Sequence, residues 1–380
     1  MKRVAGRRSP GDAQCARCPH RLRVTSPGAL IRASAAFLAF VLVTGCSGQS
    51  DDRHADADRA MAKASSGRPS VLVIMWDTVR ADRVGALGYD KATTPELDQL
   101  VREATLFSNV VSTSCWTVPS HASLFTGRLP SAHGAVGEDG WLADAHQTLA
   151  ETFSEAGYDT FFFSANPFIS AAHNFTQGFE WVAHPWEEPW RDKLRPDNKV
   201  SKEEPGRRVQ RRFKEAGPVI NEAFLSWLEQ RSETEDGPFF AFLNYMEAHF
   251  PWHSSRAQRL SFMPPGLVRH SFRMTHDYNA RMDHLFGVER LPELDLQAVN
   301  GLYDTSLRKL DRITGSLLAE LSARGVADDT VIVLVSDHGE MLGEHDLVGH
   351  EYALYEELIR VPLLIRYPPE LEPGARIDVP

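Results

Sequence analysis

Short apolar runs alternate with amphipathic segments along the chain from residue 70 onwards. Residues 71–75 form a continuous apolar run, which is typical of a strand buried on both faces of a parallel sheet. Thr94 and Pro95 predict a helix start, because threonine favours the N-cap and the fixed φ of proline suits the first helical turn. The same alternation predicts further helices near 146–156, 218–230 and 297–323, and strands at 160–163, 239–246, 331–335 and 361–365. Strands separated by helices require crossover connections, so the sequence predicts an α/β sandwich.

Two longer stretches interrupt this alternation. Residues 185–215 are charged and contain proline and tryptophan, and residues 252–293 are irregular and rich in His, Arg and Met. Insertions in such folds usually lie over the carboxyl edge of the sheet, where ligands bind. Each stretch is therefore either part of a ligand site or a solvated excursion on the surface.

The N-terminal segment has the pattern of an export signal. Residues 33–43 are an uncharged apolar run, too short for a transmembrane helix but suited to the core of a signal peptide. The run ends at Val43-Thr44-Gly45-Cys46, which resembles the bacterial lipobox, although a plain secretory signal with an accidental cysteine has the same pattern. We therefore predict a lipoprotein signal peptide at 1–45, lipidation of Cys46 and a flexible tether at 46–69. The predicted location is the bacterial cell envelope, with the protein lipid-anchored and facing the periplasm or the exterior.

Composition narrows the class of protein further. The chain has 380 residues, of which 42% are hydrophobic and 24% charged, and this excludes a disordered or multi-span membrane protein. Its 41 basic and 51 acidic residues give a net charge of −10, and the body is more acidic still because residues 1–45 hold eight Lys or Arg and one acid. Sequence-independent binding of nucleic acid needs basic patches, so no nucleic-acid partner is predicted. A bound metal or a locally positive pocket remains compatible with this charge.

Candidate metal ligands follow two of the predicted strands. Asp77 comes directly after the apolar run at 71–75, and Asp337 and His338 come after the strand at 331–335. Carboxylate oxygens and an imidazole nitrogen at the ends of two strands indicate a shared site for one divalent ion, which is Ca, Mg, Mn or Zn.

A candidate nucleophile lies between these segments. Pro119 is placed to open a helix, and the hydroxyl of Thr117 just before it would lie where helix N–H groups favour an oxyanion. A bound metal would lower the pKa of that hydroxyl, so Thr117 is predicted as both nucleophile and metal ligand. The alternative is that Thr117 is simply the N-cap of its helix.

Three segments in order resemble the sulfatase family of the alkaline phosphatase superfamily. They are Asp77 at its strand end, Pro119-Ser120 with LFTG at 124–127, and SDHGEMLGEH at 336–345 leading to YEELIRVP at 355–362. The resemblance implies a three-layer α/β/α sandwich with a mostly parallel central sheet, and a divalent metal at the carboxyl edge of that sheet. It also implies a sulfatase-like catalytic domain over 70–380. Sulfatases continue beyond the strand at 361–365, so this domain is either a shortened one or a fragment.

The sequence departs from that family at several positions. Sulfatases carry Cys or Ser, matured to formylglycine, where this chain has Thr117, and His121 and His350 stand where the family has Arg and Lys. The family's Gly-Lys-Trp-His segment is replaced by SANP at 164–167. The segment TVPSH at 117–121 resembles instead the nucleophile segment of nucleotide pyrophosphatases/phosphodiesterases, which use an unmodified threonine. No formylglycine is therefore expected at Thr117.

Reaction chemistry separates the two resemblances. A formylglycine hydrate expels sulfate through its second hydroxyl, whereas a threonine sulfate ester has no such exit. A phosphothreonine is hydrolysed by in-line attack at phosphorus. Threonine thus favours phosphoryl transfer, while the overall likeness favours a sulfatase.

Three further histidines are candidates for substrate contact. His249, in EAHFP after a strand, resembles a family segment that touches the substrate, although a surface-loop histidine has the same pattern. His345 and His350 flank Gly349 near the predicted metal, and histidine has a pKa suited to general acid work. The predicted catalytic residues are Thr117, His121 and His350, the substrate-binding residues are His249 and His345, and the metal ligands are Asp77, Thr117, Asp337 and His338. Asp304 and Asp311, at helical spacing, are predicted as solvated helix positions.

The function predicted from these residues is a sulfatase-like, metal-dependent hydrolase of sulfuric or phosphoric acid esters that uses Thr117 as nucleophile. One alternative is a phosphodiesterase or phosphotransferase acting on a cell-envelope lipid or polymer. The other is a non-catalytic lipoprotein that binds anionic glycans. The expected partners are the ester substrate and, through the N-terminal lipid, the membrane.

Overall fold

The computed structural model describes residues 67–137, 140–194, 213–232, 237–275 and 277–378. The predicted signal peptide at 1–45, the lipidation site Cys46 and the tether up to residue 66 lie outside the described residues. These three assignments stay predictions.

An eight-stranded sheet forms the centre of the described chain. Its strands follow the order β10-β2-β9-β6-β1-β5-β3-β4, and β9 runs antiparallel to both of its neighbours while the other pairs are parallel. The strands, with the small hairpin β7–β8, are β1 Ser70–Trp76, β2 Thr105–Val111, β3 Asp159–Ser164, β4 Trp181–Ala183, β5 Phe239–Tyr245, β6 Thr330–Ser336, β7 Met341–Leu342, β8 Val348–Gly349, β9 Arg360–Arg366 and β10 Arg376–Ile377. The predicted α/β class with a mostly parallel central sheet is confirmed.

The helices pack on both faces of this sheet. They are α1 Pro95–Leu100, α2 Thr117–Thr126, α3 Pro130–His133, α4 Leu149–Glu155, α5 Trp190–Lys193, α6 Gly217–Ser232, α7 Arg256–Leu260, α8 Pro265–Met274, α9 Tyr278–Leu285, α10 Glu293–Ala323 and α11 Glu356–Ile359. None of the described helices combines the length and the apolar character that a membrane crossing needs.

Strand β1 shows how the three layers form. Leu72 and Ile74 belong to the hydrophobic cluster that contains the apolar faces of α1, α6 and α10, whereas Val73 and Met75 belong to the cluster that contains α2 and α4. Successive side chains of a strand point to opposite faces, so a strand covered on both sides is apolar at every position. The prediction that residues 71–75 form a strand buried on both faces is confirmed.

Several predictions of detail were wrong. Residues 252–293 contain the helices α7, α8 and α9 rather than irregular structure, and the strands β2, β4 and β10 had not been predicted. Asp304 and Asp311 are fully buried on α10, not solvated. The Asp311 carboxylate accepts hydrogen bonds from the backbone N–H groups of Glu96 and Leu97, and so it caps α1 in place of the Thr94 side chain.

Candidate active site

The site lies at the carboxyl ends of β1 and β6. These strands pair in parallel with Trp76 opposite Ser336, so the residues that follow them, Asp77 and Asp337, come side by side. One ligand atom from each of Asp77, Asp337 and His338 lies within 4.8 Å of the others, and all three residues are buried.

Asp77 uses only one of its two carboxylate oxygens for hydrogen bonding. Oδ2 accepts a hydrogen bond from Asn166 Nδ2 at 2.7 Å, while the buried Oδ1 has no hydrogen-bond partner among the residues that the structure describes. Burial and the neighbouring Asp337 raise the pKa of Asp77 to about 7.

Asp337 has the same asymmetry. Its Oδ1 accepts hydrogen bonds from the backbone N–H groups of Thr78 at 3.0 Å and His338 at 2.8 Å. The buried Oδ2 has no hydrogen-bond partner within the described part of the chain. Burial raises the pKa of Asp337 to about 7 as well. Two adjacent buried carboxylates of this kind are costly to ionise unless a cation joins them.

His338 presents a nitrogen lone pair to the same point. Its Nδ1 lies 2.9 Å from the carbonyl oxygen of Gly339, which can only accept, so Nδ1 carries the proton and Nε2 carries the lone pair. Burial lowers the pKa of His338 to about 4, which keeps the ring neutral. Two unpartnered carboxylate oxygens and one imidazole lone pair fit a divalent cation.

Thr117 brings a hydroxyl to this group. It is the first residue of α2, with Trp116 as the N-cap, so it lies in the first turn of the helix and is not its N-cap. Its Oγ1 lies 3.3 Å from His338 Nε2 and donates to that lone pair. The structure thus brings all four predicted metal ligands together.

His121 lies beneath Thr117, one helical turn further along α2. Its Nδ1 donates to the Thr117 carbonyl oxygen at 2.9 Å and is 3.6 Å from Asp337 Oδ2, and its ring packs edge-on against Phe175 and Phe242. Burial lowers its pKa to about 3. A neutral His121 therefore supports the helix start, and direct participation in catalysis stays a prediction.

His350 and His249 extend the group toward solvent. The His350 ring lies 4.6 Å from the His338 ring, and the half-buried His249 ring lies 5.1 Å from that of His350. Although burial opposes it, the Glu340 carboxylate, with Oε2 at 3.2 Å from His350 Nδ1, raises the pKa of His350. Glu340 Oε1 in turn accepts a hydrogen bond from the buried Arg281 at 2.9 Å, so the pair Glu340–Arg281 holds His350 in place.

The family model described as Sulfatase matches residues 69–379. This chain belongs to the sulfatase family. Its relatives include the ulvan-active sulfatase of Formosa agariphila, which is 29% identical over 82% of this chain and 59% of its own length. The multifunctional alkaline phosphatase superfamily protein PehA of Trinickia caryophylli is 27% identical over 79% of this chain and 68% of its own length.

Solved structures give the same fold. The phosphonate monoester hydrolase of Agrobacterium radiobacter has a TM-score of 0.63 at 20% identity and covers 82% of this chain and 70% of its own. The resemblance to the sulfatases of the alkaline phosphatase superfamily is confirmed, and so is the alkaline phosphatase-like fold. The chain spans 59% of the length of the ulvan-active sulfatase.

His345 lies in a different environment from the histidines of the site. Its ring stacks on Tyr355 with centroids 3.8 Å apart, and its Nε2 is 3.5 Å from Glu357 Oε1. These contacts do not join it to the group around Asp77, so its contact with substrate stays a prediction.

Three polar residues that the sequence analysis did not assign lie in or beside the site. Asn166, within the SANP segment that replaces a family motif, binds Asp77. Arg281 on α9 binds Glu340, and Lys214, just before α6, donates to His249 Nδ1 at 2.7 Å. Lys214 belongs to the interrupting stretch 185–215 and Arg281 to the stretch 252–293. Each stretch therefore contributes a basic side chain near the site, as expected for insertions over the carboxyl edge of the sheet.

Proposed function

We propose that this sulfatase-family chain is a metal-dependent hydrolase of phosphoric or sulfuric acid esters with Thr117 as its nucleophile. The observation that carries the proposal is the convergence of the Thr117 hydroxyl, the His338 Nε2 lone pair and the unpartnered oxygens of Asp77 and Asp337. A protein that only binds glycans has no need of this arrangement.

Asp77, Asp337, His338 and Thr117 would hold the divalent ion. When bound, the ion would offset the carboxylate charge, lower the pKa of a coordinated hydroxyl and stabilise charge on the ester oxygens.

The protein's own groups supply the rest of the reaction. Thr117 Oγ1 attacks phosphorus or sulfur from the first turn of α2, whose N-terminal dipole favours the negative charge of the ester oxygens. His350, whose pKa the Glu340 carboxylate raises, lies beside His338 and stabilises the same oxygens. His249, half-buried and next to His350, would contact the organic group of the ester.

We infer that phosphoric esters are turned over faster than sulfuric esters, with Thr117 unmodified. A phosphothreonine intermediate opens by attack of water at phosphorus. A threonine sulfate lacks the second hydroxyl that lets a formylglycine sulfate eliminate, so it would accumulate.

The test is a parallel assay of an aryl sulfate, an aryl phosphate and a bis-aryl phosphodiester. The metal-free protein is supplied in turn with Mn²⁺, Mg²⁺, Ca²⁺ and Zn²⁺, with Thr117→Ala as the blank. We expect metal-dependent phosphate or phosphodiester cleavage that exceeds sulfate cleavage. Efficient multiple-turnover sulfate release would reverse the substrate order, and inactivity with every metal would favour a glycan-binding protein.

A further inference from the structure

Lys214 makes two contacts that no feature of the sulfatase-family resemblance accounts for. Its Nζ is 2.7 Å from His249 Nδ1, and it also donates to the carbonyl oxygen of Phe250. The same carbonyl oxygen lies 2.6 Å from His249 Nδ1. An amine, an imidazole nitrogen and one carbonyl oxygen thus meet at a single point.

The charge state of Lys214 decides which nitrogen of His249 carries a proton. While Lys214 is an ammonium group it can only donate, so His249 Nδ1 accepts from it and the neutral ring carries its proton on Nε2. Burial and the nearby Lys214 charge hold the pKa of His249 well below its usual range, so the ring is neutral. Without Lys214, Nδ1 would take the proton and donate to the Phe250 carbonyl instead.

The contacts also allow the proton to move. The Phe250 oxygen accepts from Lys214 Nζ when the proton is there and from His249 Nδ1 after it has moved, so neither state leaves the carbonyl unpartnered. Burial, partly offset by Asp77 and Glu340, lowers the pKa of Lys214 to about 7. A donor with a pKa near the working pH is the most effective general acid.

We propose that Lys214 is a positioning residue that orients His249 Nε2–H toward the leaving group and replaces the proton that His249 gives up. This inference rests on the proposed function. In this proposal His249 contacts the substrate and Lys214 acts through it. The His350 ring lies between the rings of His249 and His338.

The step balances as follows. Thr117 enters as its alkoxide, its proton having passed to water, and its oxygen bonds to phosphorus. The ester P–O bond breaks, and its electron pair stays on the leaving oxygen, which takes the proton from His249 Nε2. Lys214 Nζ gives a proton to Nδ1, which leaves a neutral amine. Before the next turnover water supplies a proton to Nε2, and the Nδ1 proton returns to Lys214.

The first test reads the His249 tautomer by ¹⁵N NMR of the histidine-labelled full chain, with His249→Gln to assign the signals. We expect Nε2–H in the wild type, Nδ1–H in Lys214→Met, and Nε2–H again in Lys214→Arg, because a guanidinium also donates. An Nδ1–H wild type, or an unchanged tautomer in Lys214→Met, overturns the proposal. The NMR measurement needs no turnover, so it can be interpreted even if the proposed catalytic function is wrong.

The second test compares phenyl phosphate with 4-nitrophenyl phosphate, whose leaving group needs less help from an acid. We expect Lys214→Met to lose on the order of 100-fold in kcat on the phenyl ester and under about 10-fold on the nitrophenyl ester. Lys214→Arg should restore the tautomer but not phenyl ester turnover, because arginine does not give up its proton. Equal losses on both esters overturn the proton-supplying role, and Lys193→Met, at an exposed lysine paired with Glu222, is the matched control.

Discussion

At the residue scale, the site contains buried polar atoms that have no hydrogen-bond partner among the described residues. Asp77 Oδ1 and Asp337 Oδ2 are both of this kind within the described residues. An unsatisfied buried acceptor costs about 1–3 kcal/mol, so native proteins rarely keep one without a functional reason. The two carboxylates therefore carry a stability cost that a bound cation would remove.

Thr117 is the residue whose loss should stop the reaction. We expect Thr117→Ala to lower turnover of the best ester by on the order of 1,000-fold or more, because it removes the attacking oxygen while the fold and the remaining metal ligands stay. Thr117→Ser, which keeps a hydroxyl, is the matched control and should stay within about tenfold of the wild type. Mass spectrometry of the peptide should show plain threonine, and retained activity in Thr117→Ala would exclude Thr117 as nucleophile.

Asp337 should give the metal-free protein a distinctive pH dependence. The pKa of Asp337 rises from 3.8 to about 7 on folding, so the folded state binds a proton more tightly than the unfolded state between these values. The free energy of unfolding therefore falls as the pH rises from about 4 to about 7. Asp337→Asn removes this term, so the variant should gain stability relative to the wild type across that range, as measured by denaturant unfolding.

Subtracting the wild-type curve from the Asp337→Asn curve cancels the titration of groups that lie far from Asp337. A constant difference across the pH range would contradict a raised pKa of Asp337.

Elemental analysis of Asp337→Ala should find the divalent ion lost from a folded protein. Unchanged metal content would exclude Asp337 as a ligand.

At the element scale, the long helix α10 fixes the loop that follows β1. Thr78 has a φ of 62°, which is strained for a β-branched residue. Two groups hold it there: its N–H donates to Asp337 Oδ1, and its carbonyl oxygen accepts from the Tyr303 hydroxyl at 2.8 Å. The same hydroxyl accepts from the backbone N–H of Arg80 at 2.9 Å. A buried side chain on α10 therefore sets the backbone beside Asp77.

Tyr303→Phe should test this support. The substitution leaves a buried N–H and a buried C=O without their partner, which costs about 1–3 kcal/mol, and it should also weaken metal binding by releasing the loop. Tyr245→Phe on β5 is the matched control, since its buried hydroxyl donates to Asn221 instead. We expect comparable losses of stability by denaturant unfolding but weaker metal affinity by calorimetry only in Tyr303→Phe. Equal metal affinities in the two variants would show that Tyr303 on α10 does not support the metal site.

At the scale of the whole molecule, four adjacent parallel strands each deliver one segment of the site. In the order β6-β1-β5-β3, their carboxyl ends lead to Asp337 with His338, to Asp77, to His249 and to Asn166. Adjacent parallel strands end at one edge of the sheet, so segments far apart in sequence converge there. The fold thus explains why one chain can build this site from short strand-end motifs.

The lipid anchor predicted at Cys46 can be tested on the whole protein. Cys46→Ser should block lipidation and release the protein from the membrane fraction, because a thiol is the acceptor for the lipid. Cys115→Ser, at the buried free cysteine of the folded body, should leave the protein membrane-bound and is the control. Unlipidated wild-type protein in the soluble fraction, cleaved at another position, would contradict the anchor.

Local sequence patterns were sufficient to predict the layered α/β fold and the four residues proposed to hold the metal. Both depend on local patterns. A continuous apolar run indicates a strand covered on both faces, and a polar residue directly after such a strand lies at the carboxyl edge of the sheet. Asp77, Asp337, His338 and Thr117 could be assigned because each lies within a few residues of an element boundary.

The environment of the remaining residues depends on contacts between elements that are distant in sequence. Lys214 and Arg281 come from stretches without a periodic pattern, so their approach to His249 and Glu340 depends on how those stretches fold over the sheet edge. Asp311 has the spacing of a solvated helix position, yet it is buried because α1 packs its N-terminus against α10. Periodicity reports which face of an element is apolar, whereas partners for polar groups are set by contacts between elements, which no local pattern encodes.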